Sequence, residues 1–294
     1  MISTIPLLTI SNHDRDLAGL TYVYPVLSRR AGGVSVGINL NPNNACNWHC
    51  AYCQVPGLVR GKAPVIDLAV LEAELSGFLS ALVRGDWLAV NAPEGMRQIR
   101  DIAFSGNGEP TSAEAFTAAI DVVVRLRAAF GLDDVPLRLI TNGSLMAQAR
   151  VQAGVDRLAA AGGEVWFKVD AGEAAAIERI NGVSLDPQAL SRHLSICAAH
   201  CPTWVQTCMF RWDGEVPSAA FIDAYLEVLL GAGPERLQGV LLYGIARPSM
   251  QVEASHLSPL SAVELEQIAD RIKQKGLTVR SEEHTSELQS PCNL

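Results

Sequence analysis

The chain has 294 residues, 49% of them apolar and 18% charged, with a formal net charge of −8 at neutral pH. That composition excludes a disordered or fibrous chain, and the acidic balance argues against a broad phosphate-binding surface, which needs clustered Lys and Arg. No apolar run approaches the roughly 20 residues of a membrane span, and the opening "MISTIPLLTISNHDRDL" lacks the basic start and small-residue cleavage site of a signal peptide, so the cytoplasm is the expected compartment.

In chain order, short β-branched or apolar runs alternate with long helical patterns. The strand candidates are "GVSVGINL" (33–40), "IRDIAFS" (99–105), "VPLRLIT" (135–141), "EVWFKVD" (164–170), "TWVQTCMFRW" (203–212) and "LQGVLLYG" (237–244), each ended by Gly, Asn, Asp or Pro. Helical periodicity covers 67–84, 113–130, 144–162, 173–200 with a break at Pro187, 218–232 and 261–276. Alternation of this kind implies right-handed βαβ units and a parallel sheet. The expected fold is α/β, a partial (β/α)6 TIM-like barrel with parallel strands, in one domain over residues 1–279 with its core at 34–250. Ligands bind at the carboxyl ends of such strands. There the sequence places "NPNNACNWHCAYC", "GNGEPT", "TNGS", "DAGE", "DGEVP" and "YGIARPS".

The end of the chain, "RSEEHTSELQSPCNL" (280–294), is polar and without periodicity, and from Arg280 to Ser290 it resembles the translation of a common sequencing-adapter oligonucleotide. It is set aside as an artefact tail, together with its His284 and Cys292. The preceding "GLTVR" reads as a strand cut short.

Cysteine is used sparingly, seven in all, yet Cys46, Cys50 and Cys53 fall within one Pro/Asn-rich loop. In a reducing compartment these read as metal ligands rather than disulfides. Three close thiolates leave two readings: zinc with a distant fourth ligand, or an iron–sulfur cluster. No second CxxC is present to complete a zinc site, and a cluster with three protein ligands leaves one iron open to a substrate or cofactor.

The CxxxCxxC spacing with an aromatic residue before the last cysteine (Cys46, Cys50, Tyr52, Cys53) resembles the signature of the radical S-adenosylmethionine (radical SAM) superfamily. "FSGNGEPT" is similar to that superfamily's glycine-rich segment for the SAM amino group, with Gly106 and Gly108 allowing close backbone approach and Asn107 and Glu109 beside them. "LITNG" with Thr141 and Asn142, and "KVDAGEAAAIERING" with Lys168 and Asp170, look like later loops of the branch related to the wyosine-type tRNA-modifying synthetases. The resemblance implies an enzyme in which the three cysteines hold a 4Fe–4S cluster. The cluster's open iron takes the amino and carboxylate groups of SAM, and reductive cleavage yields a 5′-deoxyadenosyl radical that abstracts hydrogen from substrate. It further implies that Tyr52 supports the adenine and that reduced flavodoxin or ferredoxin donates the electron.

Other residues have competing readings. Cys197, Cys201 and Cys208 read as core packing ahead of an auxiliary cluster. His49 shapes the loop, Trp48 shields the cluster, and Arg211, Asp213, Tyr243 and Arg247 are substrate-facing candidates balanced against scaffold roles. A small-molecule or peptide substrate is favoured over tRNA for want of a basic extension. Readings from other classes are a zinc-stabilised binding module without catalysis and a pure electron carrier.

Overall fold

The computed structural model of the chain describes residues 8–9, 19–28 and 32–281. These fall into two compact units that interleave in sequence, one drawn from the chain up to 47, 59–141 and 148–165, the other from 48–58, 142–147 and 166 onward.

The first unit holds β1 (Val23–Ser28), β2 (Gly33–Ile38), β3 (Ala45–Cys46), β4 (Val59–Arg60), α1 (Leu68–Arg84), α2 (Trp87–Asn91), β5 (Ile99–Phe104), α3 (Phe116–Ala129), β6 (Leu137–Thr141), α4 (Ala149–Ala160) and the start of β7 (Glu164–Lys168). β2, β5 and β6 lie parallel in that order. Val34, Val36 and Ile38 of β2 are all fully buried and, being two apart, line one face of the strand. Asp67 caps α1 by accepting the Ala69 and Val70 N–H groups, and Leu71, Leu75, Phe78, Leu79 and Leu82 give the helix one buried stripe. Arg138 bridges Asp101 of β5 and Glu164 of β7, the latter at 2.8 Å, and pins the register of these strands.

β1 was not expected from the sequence. Pro25 marks "VYPVLS" as a poor strand, because proline cannot donate to a ladder. The structure uses the segment where that cost is least, as an antiparallel strand on the outer side of β2, with Pro25 opposite Val36. The Tyr24 ring occupies the space over Gly37, where a Cβ would lie 2.2 Å from it.

The second unit holds the end of β7, then α5 (Ala174–Asn181), α6 (Pro187–His200), β8 (Thr203–Cys208), β9 (Arg211–Trp212), α7 (Ala219–Gly231), β10 (Leu237–Tyr243), β11 (Leu257–Ser258), α8 (Ala262–Lys273) and β12 (Val279–Ser281). β8, β10 and β12 run parallel, and Val169 N–H donates to the Gln206 carbonyl at 3.2 Å, joining the end of β7 to β8. The break expected at Pro187 is present: Gly182 ends α5 in the left-handed conformation (φ 64°), and Asp186 caps α6 with Pro187 in its first turn.

Three expectations are corrected. The 203–212 run is two strands, because β8 stops at Cys208 and Arg211–Trp212 pairs antiparallel with β11, after which Asp213 (φ 51°) and Gly214 turn the chain so that Glu215 bridges back to Trp212. Residues 144–148 are not helical. Asn142 Oδ1 accepts from the Ser144 N–H and hydroxyl at 3.0 and 2.7 Å, and this local turn delays the helix. Residues 113–115 likewise precede α3, after the 3-10 turn Pro110–Ser112. At the other end, "GLTVR" does run into a strand: Leu241 and Leu242 of β10 face Arg280 and Ser281 of β12. The rest of the proposed tail, with His284 and Cys292, lies outside the described residues. No helix among the described residues is long and apolar enough to cross a membrane.

Candidate functional site

The residues singled out in the sequence form two polar groups, one in each unit. In the first unit, Glu109 follows β5 and is 2% exposed. Its Oε1 accepts the Thr111 N–H at 3.1 Å, the Thr111 hydroxyl at 2.5 Å and the Thr141 hydroxyl at 2.6 Å. A buried carboxylate needs such donors. Thr141 therefore orients Glu109 from the end of β6. Asn107 donates its side-chain amide to Asn44 Oδ1 at 2.6 Å and its backbone N–H to Asn39 Oδ1 at 3.1 Å.

The glycines of "GNGEPT" have partners inside the chain. A Cβ on Gly106 would stand 2.3 Å from Asn39 Oδ1, and one on Gly108 would stand 2.0 Å from the Ala45 carbonyl. The loop is thus pressed onto the segment that leads into Cys46. Asn41, fully buried beside Gly108, donates to the Ala45 carbonyl at 2.9 Å, while its own Oδ1 is buried without a donor. A buried acceptor left open in this way costs free energy until something donates to it. Sequence reasoning missed Asn39 and Asn41, since asparagines before a loop read as ordinary turn residues.

In the second unit the cysteine loop rests on the end of α5. The His49 N–H donates to the Asn181 carbonyl at 3.0 Å and the Ala51 N–H to the Ile180 carbonyl at 2.7 Å, so two terminal helix carbonyls are satisfied by the loop. A Cβ on Gly182 would lie 2.6 Å from the His49 carbonyl oxygen. Ser249 and Gln251 hold the far side: the serine hydroxyl donates to the Ala51 carbonyl at 2.6 Å, and Gln251 Nε2 donates to the Cys53 and Val55 carbonyls at 3.1 and 2.9 Å.

Asp170, 1% exposed at the end of β7, is the hub. Its Oδ1 accepts the Cys208 N–H at 3.0 Å, and its Oδ2 accepts the Tyr52 hydroxyl at 2.6 Å and the Asn181 side-chain amide at 2.8 Å. Asn181 Nδ2 also reaches Cys50 Sγ at 3.4 Å. Lys168 donates to the Tyr243 hydroxyl at 3.3 Å and lies 5.0 Å from the centre of the Tyr52 ring. Burial by itself would lower the lysine's pKa, but the acidic groups around it outweigh that and raise the value, and with Tyr243 and Cys50 protonated it is the Asp170 carboxylate that holds the ammonium charged. Burial raises the pKa of Cys50, Tyr52 and Tyr243 and keeps each protonated in the free protein. Tyr52, placed against Phe210 with ring centres 5.8 Å apart, has its hydroxyl committed to Asp170.

Several candidates have scaffold partners. Arg211 pairs with Glu264 at 2.5 Å, Asp213 with His256 at 2.6 Å, and the Arg247 carbonyl accepts from Gln54. Asn142 shapes its own turn.

Cys46, Cys50 and Cys53 are half-buried and outside any disulfide, whereas Cys197, Cys201 and Cys208 are buried. Cys197 sits 3.4 Å from the Thr203 hydroxyl, and burial pushes its thiol up to about 12, as for a core residue. Among the described residues no three His, Cys, Asp or Glu side chains converge closely enough to hold a metal ion. Three cysteines in one loop are a donor set whose chemistry suits an iron–sulfur cluster or, with a further ligand, zinc.

No protein-family model matches the sequence. Over 149 residues, half of this chain, the sequence is 26% identical to the GTPase Obg of Brachyspira hyodysenteriae, of which the match takes in 19%. Streptococcus suis SuiB, solved with S-adenosylmethionine bound, aligns with 83% of the chain at 11% identity and a TM-score of 0.49, and the chain spans 45% of SuiB's length. A radical SAM methyltransferase from Sphaerobacter thermophilus aligns with 86% of the chain and 68% of its own at 16% identity and a TM-score of 0.56. The expected fold class is therefore present: the chain has an α/β fold with mostly parallel strands, shared with a solved radical SAM methyltransferase.

Proposed function

We propose that the protein is a radical SAM enzyme. The observation that carries this is the cysteine loop: three half-buried cysteines in the CxxxCxxC spacing, mounted on a fold shared with a radical SAM methyltransferase. Cys46, Cys50 and Cys53 hold a 4Fe–4S cluster. When bound, the cluster supplies the electron that cleaves SAM to methionine and a 5′-deoxyadenosyl radical.

The chain's own residues bind and orient. Glu109, fixed by Thr111 and Thr141, offers a carboxylate to the SAM ammonium, and the open acceptor on Asn41 belongs to the same polar group. Gly106, Asn107 and Gly108 set that loop. Lys168 presents a fixed positive charge, Asp170 and Tyr52 line the other polar group, and Asn142 holds the turn after β6. Reduced flavodoxin or ferredoxin serves as donor, and the substrate is a small molecule or peptide. The test is anaerobic reconstitution of the purified chain with iron and sulfide, then addition of dithionite and SAM. About four irons and four sulfides per chain are expected, with 5′-deoxyadenosine and methionine formed in equal amounts. A colourless zinc protein without acid-labile sulfide would sink the proposal.

Glu109→Gln separates the charge of this side chain from its structural ties. Glutamine's carbonyl oxygen can still accept from Thr111 and Thr141, so the melting temperature should hold. Losing the charge weakens the bond to an ammonium by about 1.4 kcal/mol, the difference between charged and neutral hydrogen bonds. The dissociation constant for SAM, measured calorimetrically on the reconstituted chain, is expected to rise about tenfold. An unchanged value would leave Glu109 with its structural ties alone.

A further inference from the structure

Asn181 is the last residue of α5 and is 2% exposed. Its two roles can be separated. Its backbone carbonyl, with that of Ile180, seats the cysteine loop on the helix end, and any residue could supply that carbonyl. Its side chain does something that only a carboxamide of this length can do: Nδ2 reaches Asp170 Oδ2 at 2.8 Å and Cys50 Sγ at 3.4 Å.

The orientation of the amide is determined by these neighbours. A carboxamide has two N–H donors on nitrogen and only acceptors on oxygen. With the group turned over, its oxygen would face a carboxylate and a sulfur, both electron-rich. Asp170 is itself held by the Cys208 N–H and the Tyr52 hydroxyl, so the acceptor that aims Asn181 cannot swing away. One N–H is therefore committed to Asp170 and the other points at the cysteine sulfur.

We propose that Asn181 is a positioning residue for the cluster: its side-chain amide donates a hydrogen bond to the Cys50 sulfur and raises the cluster's reduction potential. This rests on the iron–sulfur reading of the cysteine loop. Reduction adds one electron, and part of that charge falls on the ligand sulfurs. An N–H donor stabilises the more negative state more strongly, so its presence favours the reduced cluster. Asp170 acts one step further out, by holding the amide in place. The effect concerns how readily the cluster accepts its electron and leaves the three ligands unchanged.

The test compares the parent chain with Asn181→Leu, which keeps the size and removes the donor, and Asn181→Ser, whose hydroxyl is too short to reach both partners. Each is reconstituted anaerobically, its iron and sulfide are measured, and the reduced cluster is followed by EPR through a mediated dithionite titration without SAM. Both variants are expected to load as the parent does. Their one-electron reduction equilibrium should shift about tenfold toward the oxidised state, a midpoint about 59 mV lower. Loaded variants with the parent's midpoint overturn the inference and leave the cluster reading intact. So do variants that keep the parent's circular dichroism and take up no cluster, since the side chain would then be a structural tie. A parent chain that takes up no iron and sulfide overturns the cluster reading itself, and the inference falls with it.

Discussion

The Cys50→Ala chain, reconstituted beside the parent, is expected to form 5′-deoxyadenosine at less than about one hundredth of the parent rate. Loss of a residue that merely supports a metal ligand typically costs 10–100-fold, so loss of the ligand itself should cost at least the upper figure. The comparison that gives this meaning is Cys197→Ala. Cys50 lies in a half-buried loop with an amide donor aimed at its sulfur, whereas Cys197 is fully buried on α6 against Thr203. Removing the Cys197 thiol leaves a small void in the core, expected to cost about 1 kcal/mol of stability, and should leave product formation unchanged. Product assayed by chromatography after dithionite and SAM, with iron content measured in parallel, distinguishes the two. Equal loss in both variants would mean that the buried cysteines also serve the chemistry, and equal retention would mean that Cys50 is not a ligand.

How much of this was legible in the sequence depended on whether a local pattern existed. The parallel strands announced themselves as apolar runs ended by turn residues, and the break at Pro187 followed from the proline, whose effect on a helix is local. β1 did not, because Pro25 argues against a strand unless the segment is known to lie on the outside of its neighbour, and that is a tertiary fact. The early helix start at 144 had the same origin, since an Asn142 turn and a helical turn suit much the same residues. At the site, three thiols in one loop were conspicuous, and Glu109 and Asp170 stood at strand ends. Asn181 and Asn41 were invisible as individuals. One asparagine at the end of an amphipathic helix and another in a turn have ordinary explanations, and only the packing of Asn181 beside Cys50 and of Asn41 beside Gly108 gives them a task. The glycines after β5 show the converse. They were read as room for a ligand, and in the structure they make room for Asn39 and Ala45.

Asp170→Ala is expected to lower stability by about 3 kcal/mol or more. The carboxylate accepts from three groups at once: the Cys208 N–H, the Tyr52 hydroxyl and the Asn181 amide. Each donor left buried without an acceptor costs about 1–3 kcal/mol, and partial relaxation around the truncated side chain recovers only some of it. For a chain of this size that loss corresponds to a fall in melting temperature of roughly 6–12 °C. Asp170→Asn is a sharper test, because it keeps the shape and is not a conservative change here. One oxygen of Asp170 accepts from an N–H of Cys208, the other from an N–H of Asn181. Whichever way the new amide is turned, its own NH2 group confronts one of those N–H donors. The Asn variant should therefore melt well below the parent as well, and the amide of Asn181 should lose the partner that aims it at Cys50. Calorimetric melts of the two variants within about 2 °C of the parent, a shift worth under about 1 kcal/mol, would show that Asp170 is not the hub of this network.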